Sequence, residues 1–141
     1  MKPIYRILFV CIVMMGSFVR LNSQFNDVAI TNHPADQSET AIAVHPTNPK
    51  ILLAGWMDYR DDNHAKPFFA FSTDGGLNWS VGSQSVLRNE ADIHGVDPSV
   101  AFDRYGYAYY GVVAEFGGPV RVAWTMDFTS DAQWTVRDGI L

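Results

Sequence analysis

The chain of 141 residues holds one cysteine, Cys11, and it lies inside an apolar run near the N-terminus. No cysteine follows that run, so no disulfide framework holds the remainder together. Basic residues are also scarce. Lys2, Arg6 and Arg20 account for three of the ten Lys and Arg, while all 15 Asp and Glu lie beyond residue 23. From residue 24 onward the formal charge is therefore about −8, with histidines neutral. That field argues against nucleic acid and anionic membrane surfaces as partners. An anionic ligand would need a local arginine to override it. Helical periodicity is weak as well. The longest apolar run, residues 7–15, is too short to span a bilayer comfortably.

That run follows Lys2 and Arg6 and is followed by small residues, the pattern of a secretory signal peptide. Cleavage after Ser23 is expected, with residues 1–23 as the leader and 24–38 as a lead-in. The expected location is secreted, periplasmic or cell-surface, with no membrane insertion after cleavage. Arg20, close to the cut, is the irregular feature of this leader.

What is present is β signal. Apolar runs are short, rich in Val, Ile, Phe, Tyr and Trp, and bounded by Gly, Pro, Asn and Asp. Strands are predicted over residues 41–45, 51–56, 68–71 and from 79 to 81. The turn Pro46-Thr47-Asn48-Pro49 separates the first two, because proline fixes φ and asparagine tolerates turn conformations. The 51–56 run is almost wholly apolar, which predicts burial on both faces. The pattern then repeats. Residues 97–103 match 39–45 at an offset of 58, and strands follow over 107–114, 120–124 and 134–136. Two four-stranded units of about 50 residues have the period of propeller blades. The expected domains are blade one at 39–82, an inter-blade link at 83–96 and blade two at 97–141.

The stretch Ser72-Thr73-Asp74-Gly75-Gly76-Leu77-Asn78-Trp79 stands between the third and fourth strands. An aspartate in a tight turn accepts bonds from nearby backbone N–H groups, and a serine hydroxyl joins the same network. Gly76 admits a positive φ. Trp79 covers the hairpin base with apolar surface and keeps one N–H for a partner. All four roles are structural. Thr125, Asp127 and Trp134 form a degenerate second copy that lacks the glycine and carries two extra residues.

This pattern, S-x-D-x-G-x-x-W, resembles the Asp box, or bacterial neuraminidase repeat, of the sialidase superfamily. The resemblance implies an all-β propeller of the sialidase type, represented here by about two antiparallel blades. It also implies a site on the rim opposite the box. That rim carries the loop 57–67, the link around Glu90, Asp92, His94 and Asp97, and Glu115. Leu52-Leu53-Ala54, then Arg60, then Asp62-Asn63-His64-Ala65, look like the first-blade segment of exo-sialidases. Carried over, Arg60 would touch substrate, and Asp62 would be the general acid/base, with its pKa raised by burial or by Asp58 and Asp61. The family's nucleophile, a tyrosine from a late blade, has no counterpart here. The arginine that clamps the sugar carboxylate in that family falls at Glu39, and a glutamate there would repel a carboxylate.

Two alternatives stand. One is a secreted sialidase-like glycoside hydrolase acting on glycans or glycoproteins. The other is a non-catalytic secreted propeller that binds proteins or glycans at the cell surface. Two blades do not close a ring, so the expectation is an N-terminal piece whose remaining blades lie elsewhere. No metal and no cofactor are expected. The one alternative is calcium, held by Asp58, Asp61 and Asp62 or by Glu90, Asp92 and Asp97.

Overall fold

The computed structural model describes residues 27–60, 64–87, 94–114 and 118–138. The leader expected at 1–23 lies outside them. So do Asp61, Asp62, Glu90, Asp92 and Glu115. Among the described residues the protein is all-β, and no helix is long and apolar enough to cross a membrane.

Among the described residues eight strands form two four-stranded antiparallel sheets, each in simple sequential order. Sheet one holds β1 (Gln37–Val44), β2 (Leu52–Asp58), β3 (Lys66–Ser72) and β4 (Ser80–Val81). Sheet two holds β5 (Gly95–Phe102), β6 (Ala108–Ala114), β7 (Val120–Thr125) and β8 (Thr135–Asp138). Neither sheet closes on itself. Strand β2 is buried on both faces apart from its first residue, as its unbroken apolar run requires.

The repeat extends to backbone detail. Glu39 and Asp97, 58 residues apart, both adopt φ of 52°. Each sits in a register shift, between Ser38 and Ala41 in β1 and between Val96 and Ser99 in β5. These are β-bulges, which bend the strand and re-aim its side chains. The bulge lets β1 continue back to Gln37, four residues before the predicted start at 41. Likewise β5 begins at Gly95 rather than 97. The polar run Gln-Ser-Glu-Thr looks like a loop, because the alternation that marks a strand is broken by the extra residue.

The two sheets pack against each other through one apolar core. Leu53, Phe69 and Phe71 of sheet one meet Ala108, Tyr110, Val112 and Ala123 of sheet two. Trp134 enters the same core and stacks on Phe71 with ring centroids 6.1 Å apart and planes at 10°. Phe69 meets the Trp134 indole edge-on at 5.2 Å. Such pairs add about 0.5–1.5 kcal/mol beyond the area they bury.

Tyr110 is the pin between the sheets. Its side chain is fully buried, and its hydroxyl lies 3.0 Å from the Phe68 carbonyl and 3.2 Å from that of Trp56. Burial pushes its phenol far above the ordinary value, so it stays a neutral donor. The ring lies on Gly55, where a Cβ would fall 2.6 Å from Tyr110 Cε2. Gly55→Ala is therefore expected to destabilise the protein by about 1–3 kcal/mol through overpacking. Urea denaturation checks this as a lowered midpoint at unchanged slope.

A second cluster of Trp56, Phe68 and Ala70 occupies the opposite face of sheet one, with Ile30, Trp79 and Val81 packed against it. The lead-in supplies Ile30, so this segment covers part of a sheet face.

Candidate functional site

The β1–β2 and β3–β4 hairpins share one end of sheet one, since Leu52 pairs with Ser72. The Gly75 N–H donates to the Lys50 carbonyl across that end, at 2.9 Å. The β2–β3 loop leaves from the other end, where Asp58 pairs with Lys66. At this far rim the link before β5 returns. The Gly95 N–H donates to the Ala65 carbonyl at 3.2 Å, and the His64 and His94 rings lie 4.1 Å apart. The two polar segments predicted to share a rim do so through these residues.

Arg60 stands at this rim. Its backbone N–H and Nε each donate to Asp58 Oδ1 at 2.9 Å, and Nη2 donates to Oδ2 at 2.7 Å. The Asp58 carboxylate also accepts Trp56 Nε1 at 2.9 Å and Gln37 Nε2 at 3.2 Å. Burial alone would raise the Asp58 pKa. The bonds from the Arg60 and Trp56 side chains outweigh it and hold the carboxyl below its ordinary range. The guanidinium also lies over the Phe68 ring, 4.0 Å from its centroid. With 18% of its side chain exposed, Arg60 is fixed from behind and open on one side. The pair is neutral as a whole. Recognition here would rely on directed N–H groups more than on net charge.

Arg60 borders a shallow groove of about 610 Å³, lined also by residues 28–34 and by Leu77, Asn78, Trp79 and Val81. Its lining thus includes Arg60, beyond one end of β2, and residues of the β3–β4 hairpin at the other end of sheet one. Asp62, the expected proton donor, lies outside the described residues. Among the described residues no group of three or more His, Cys, Asp or Glu side chains could hold a metal ion.

Arg121 is a residue that the sequence pattern did not single out. It pairs with Val112 in β7, and its guanidinium Nε and Nη1 are buried. The signal was the alternation of Val-Arg-Val-Ala-Trp, which turns Arg121 to the same face as the buried Ala123.

The box itself is a closed network. Ser72 Oγ donates to Asp74 Oδ1 at 2.9 Å and accepts the Gly76 N–H at 2.8 Å. Asp74 accepts the Asn78 N–H at 2.9 Å and its side-chain amide at 2.7 Å. Trp79 Nε1 donates to the Gly76 carbonyl at 3.1 Å, with Gly76 at φ 91°. The Asn78 amide and backbone N–H, with Ser72 behind them, hold the Asp74 carboxyl at about 2. Folding thus favours ionised Asp74. Its stabilisation is complete above the ordinary value of 3.8 and is lost as pH falls towards about 2. Asp74→Asn is expected to be less stable at neutral pH and to show a shallower fall in stability between pH 4 and 2. Unfolding free energies measured across that range check this; an unchanged slope contradicts it.

The second copy keeps part of this network. Thr125 Oγ1 accepts the Asp127 N–H, and Asp127 Oδ1 accepts the Thr129 N–H, both at 3.0 Å. Trp134 Nε1 is buried without a partner among the described residues. In the first copy that partner is the carbonyl of Gly76, the residue missing from the second. The longer second hairpin reaches back instead, and its Asp131 accepts the Ser83 hydroxyl at 3.0 Å.

Glu39, the residue expected near the place of a carboxylate-binding arginine, has a definite use. Its Oε2 accepts the Asp97 N–H at 2.8 Å, joining the bulge of sheet one to the bulge of sheet two. No known family model matches the chain, and no curated protein is similar to it at a significant level.

Proposed function

We propose that the chain is part of a secreted, sialidase-like propeller of the Asp-box type, and that it binds glycans or glycoproteins at the rim carrying Arg60, His64 and His94. One observation carries this reading: the Ser72–Asp74–Gly76–Trp79 network closes the hairpin between third and fourth strands of a four-stranded unit that recurs 58 residues on. A locked hairpin at one end leaves the opposite rim as the place where loops collect, and loops on a rigid β scaffold carry sites. Arg60 supplies oriented donors there, and His64 and His94 supply flat polar rings. In this reading the two sheets are neighbouring blades. Arg60 contacts the sugar, and Asp62 is the candidate proton donor if the intact protein hydrolyses its ligand.

The second reading, a binding propeller without hydrolytic activity, is favoured by Glu39. Its carboxylate stands where a sugar carboxylate would need a cation, and it is engaged by the Asp97 N–H. Titration of the chain with sialylated and neutral oligosaccharides tests the common claim. Arg60→Lys keeps the charge beside Asp58 but loses the two-pronged donor geometry. It is expected to weaken binding about tenfold, or 1.4 kcal/mol. Absence of binding to every glycan, or binding indifferent to Arg60→Lys, contradicts the proposal. Release of a fluorescent aglycone from a sialoside separates the hydrolase from the binder.

A further inference from the structure

The chain holds four histidines, and they divide into two kinds by what their rings meet. His33 Nδ1 accepts the Ala35 N–H at 3.2 Å, and His45 Nδ1 accepts the Thr47 N–H at 3.3 Å. Each of those rings closes a local turn. Among the described residues no hydrogen bond or ion pair reaches the ring of His64 or of His94. These two meet each other instead, with centroids 4.1 Å apart and planes tilted by 58°. They come from different segments, the β2–β3 loop and the link before β5. The backbone sets their pairing. Ala65 and Gly95, the residues that follow them, are both buried, and the Gly95 N–H donates to the Ala65 carbonyl at 3.2 Å. A Cβ at Gly95 would fall 2.9 Å from Pro67 Cδ and 3.1 Å from Val112 Cγ2. The two main chains approach because Gly95 has no side chain, and anchored neighbours carry the two imidazoles together.

We propose that His64 and His94 form a two-imidazole site for a divalent transition metal of the zinc type, on the rim opposite the Asp box. Each ring gives one neutral nitrogen, and water completes the shell. With metal–nitrogen bonds of about 2.0–2.1 Å, two imidazoles on one ion have centroids roughly 4.5–5 Å apart, so an outward shift of under about 1 Å suffices. His64 is exposed, and its ring can turn without displacing packed neighbours. Beyond residue 23 the formal charge of about −8 draws cations towards the chain. Imidazole suits zinc, copper and nickel, whereas calcium takes oxygen ligands. The site therefore differs in chemistry from a calcium site built of carboxylates. With only two protein ligands, its water-filled positions are where an oxygen of an incoming ligand would bind.

The site does not depend on the glycan reading, and its test contains no glycan. The full chain, without an affinity tag, is titrated with Zn2+ at neutral pH in a calorimeter. One equivalent is expected to bind. His64→Gln and His94→Gln should each abolish that uptake, and His33→Gln should leave it intact. Zinc should also raise the urea midpoint of the parent and leave that of His94→Gln unmoved. A second measurement needs no variant: zinc should shift the ring resonances of His64 and His94 in the parent, with those of His33 and His45 unmoved. Absence of zinc uptake overturns the proposal, as does uptake that survives either variant, ring shifts at His33 or His45 instead, or displacement of the zinc by calcium. Half an equivalent of zinc, bound together with dimerisation, would place the ion between two copies and overturn it equally.

Discussion

Tyr110→Ala is expected to destabilise the protein by about 3–5 kcal/mol, the range for truncating a large buried aromatic side chain. On a chain of this size that is a fall of roughly 10–20 °C in melting midpoint. Two losses combine. The ring leaves a cavity over Gly55, where the backbone of sheet one has no side chain to fill it. The hydroxyl leaves the Phe68 and Trp56 carbonyls without their donor from sheet two. Tyr110→Phe separates the two. It keeps the ring and removes only the hydroxyl, so about 1–2 kcal/mol is expected. Thermal and urea unfolding of both variants check the pair of values. Equal effects from Phe and Ala would mean that the ring contributes nothing to holding the sheets together.

Asp58→Ala has the second large effect, about 3 kcal/mol or somewhat more. Its carboxylate is fully buried and is the common acceptor for Arg60, Trp56 and Gln37. Without it a guanidinium and an indole N–H lose their partner in a mostly buried setting, the costly half of a broken ion pair. The guanidinium keeps partial access to water, which places the effect at the lower end. Asp58→Asn retains the shape but turns an amide NH2 towards donors, so it should fall between alanine and the parent. Both variants should also loosen Arg60, and glycan affinity should weaken along with stability. A variant that loses stability but keeps affinity would remove Arg60 from the binding role.

The strand order, the hairpins and the 58-residue repeat were legible because turn residues punctuate short apolar runs. The box was legible because Ser72, Asp74, Gly76 and Trp79 each have a local job that depends only on neighbours in sequence. The bulges were not. At Glu39 and Asp97 the extra residue breaks the alternation and makes a strand look like a loop. Asp58 was read among the polar loop residues, yet it ends β2 as a buried group, and only the fold brings Gln37 and Trp56 to it. The use of Glu39 was hidden for the same reason, since its partner is 58 residues away. The inward turn of Arg121 follows from alternation in β7, which places it on the face of the buried Ala123.

The central claim is a division of labour: the box locks one end, and the opposite rim meets the glycan. Amide NMR of the isotope-labelled chain, titrated with a sialylated oligosaccharide and a neutral one, tests it directly. The account predicts shifts at Arg60, His64, His94 and Gly95, with the amides of Gly75, Gly76 and Asn78 unmoved. Largest shifts at the box, or no shift with any glycan, would contradict it.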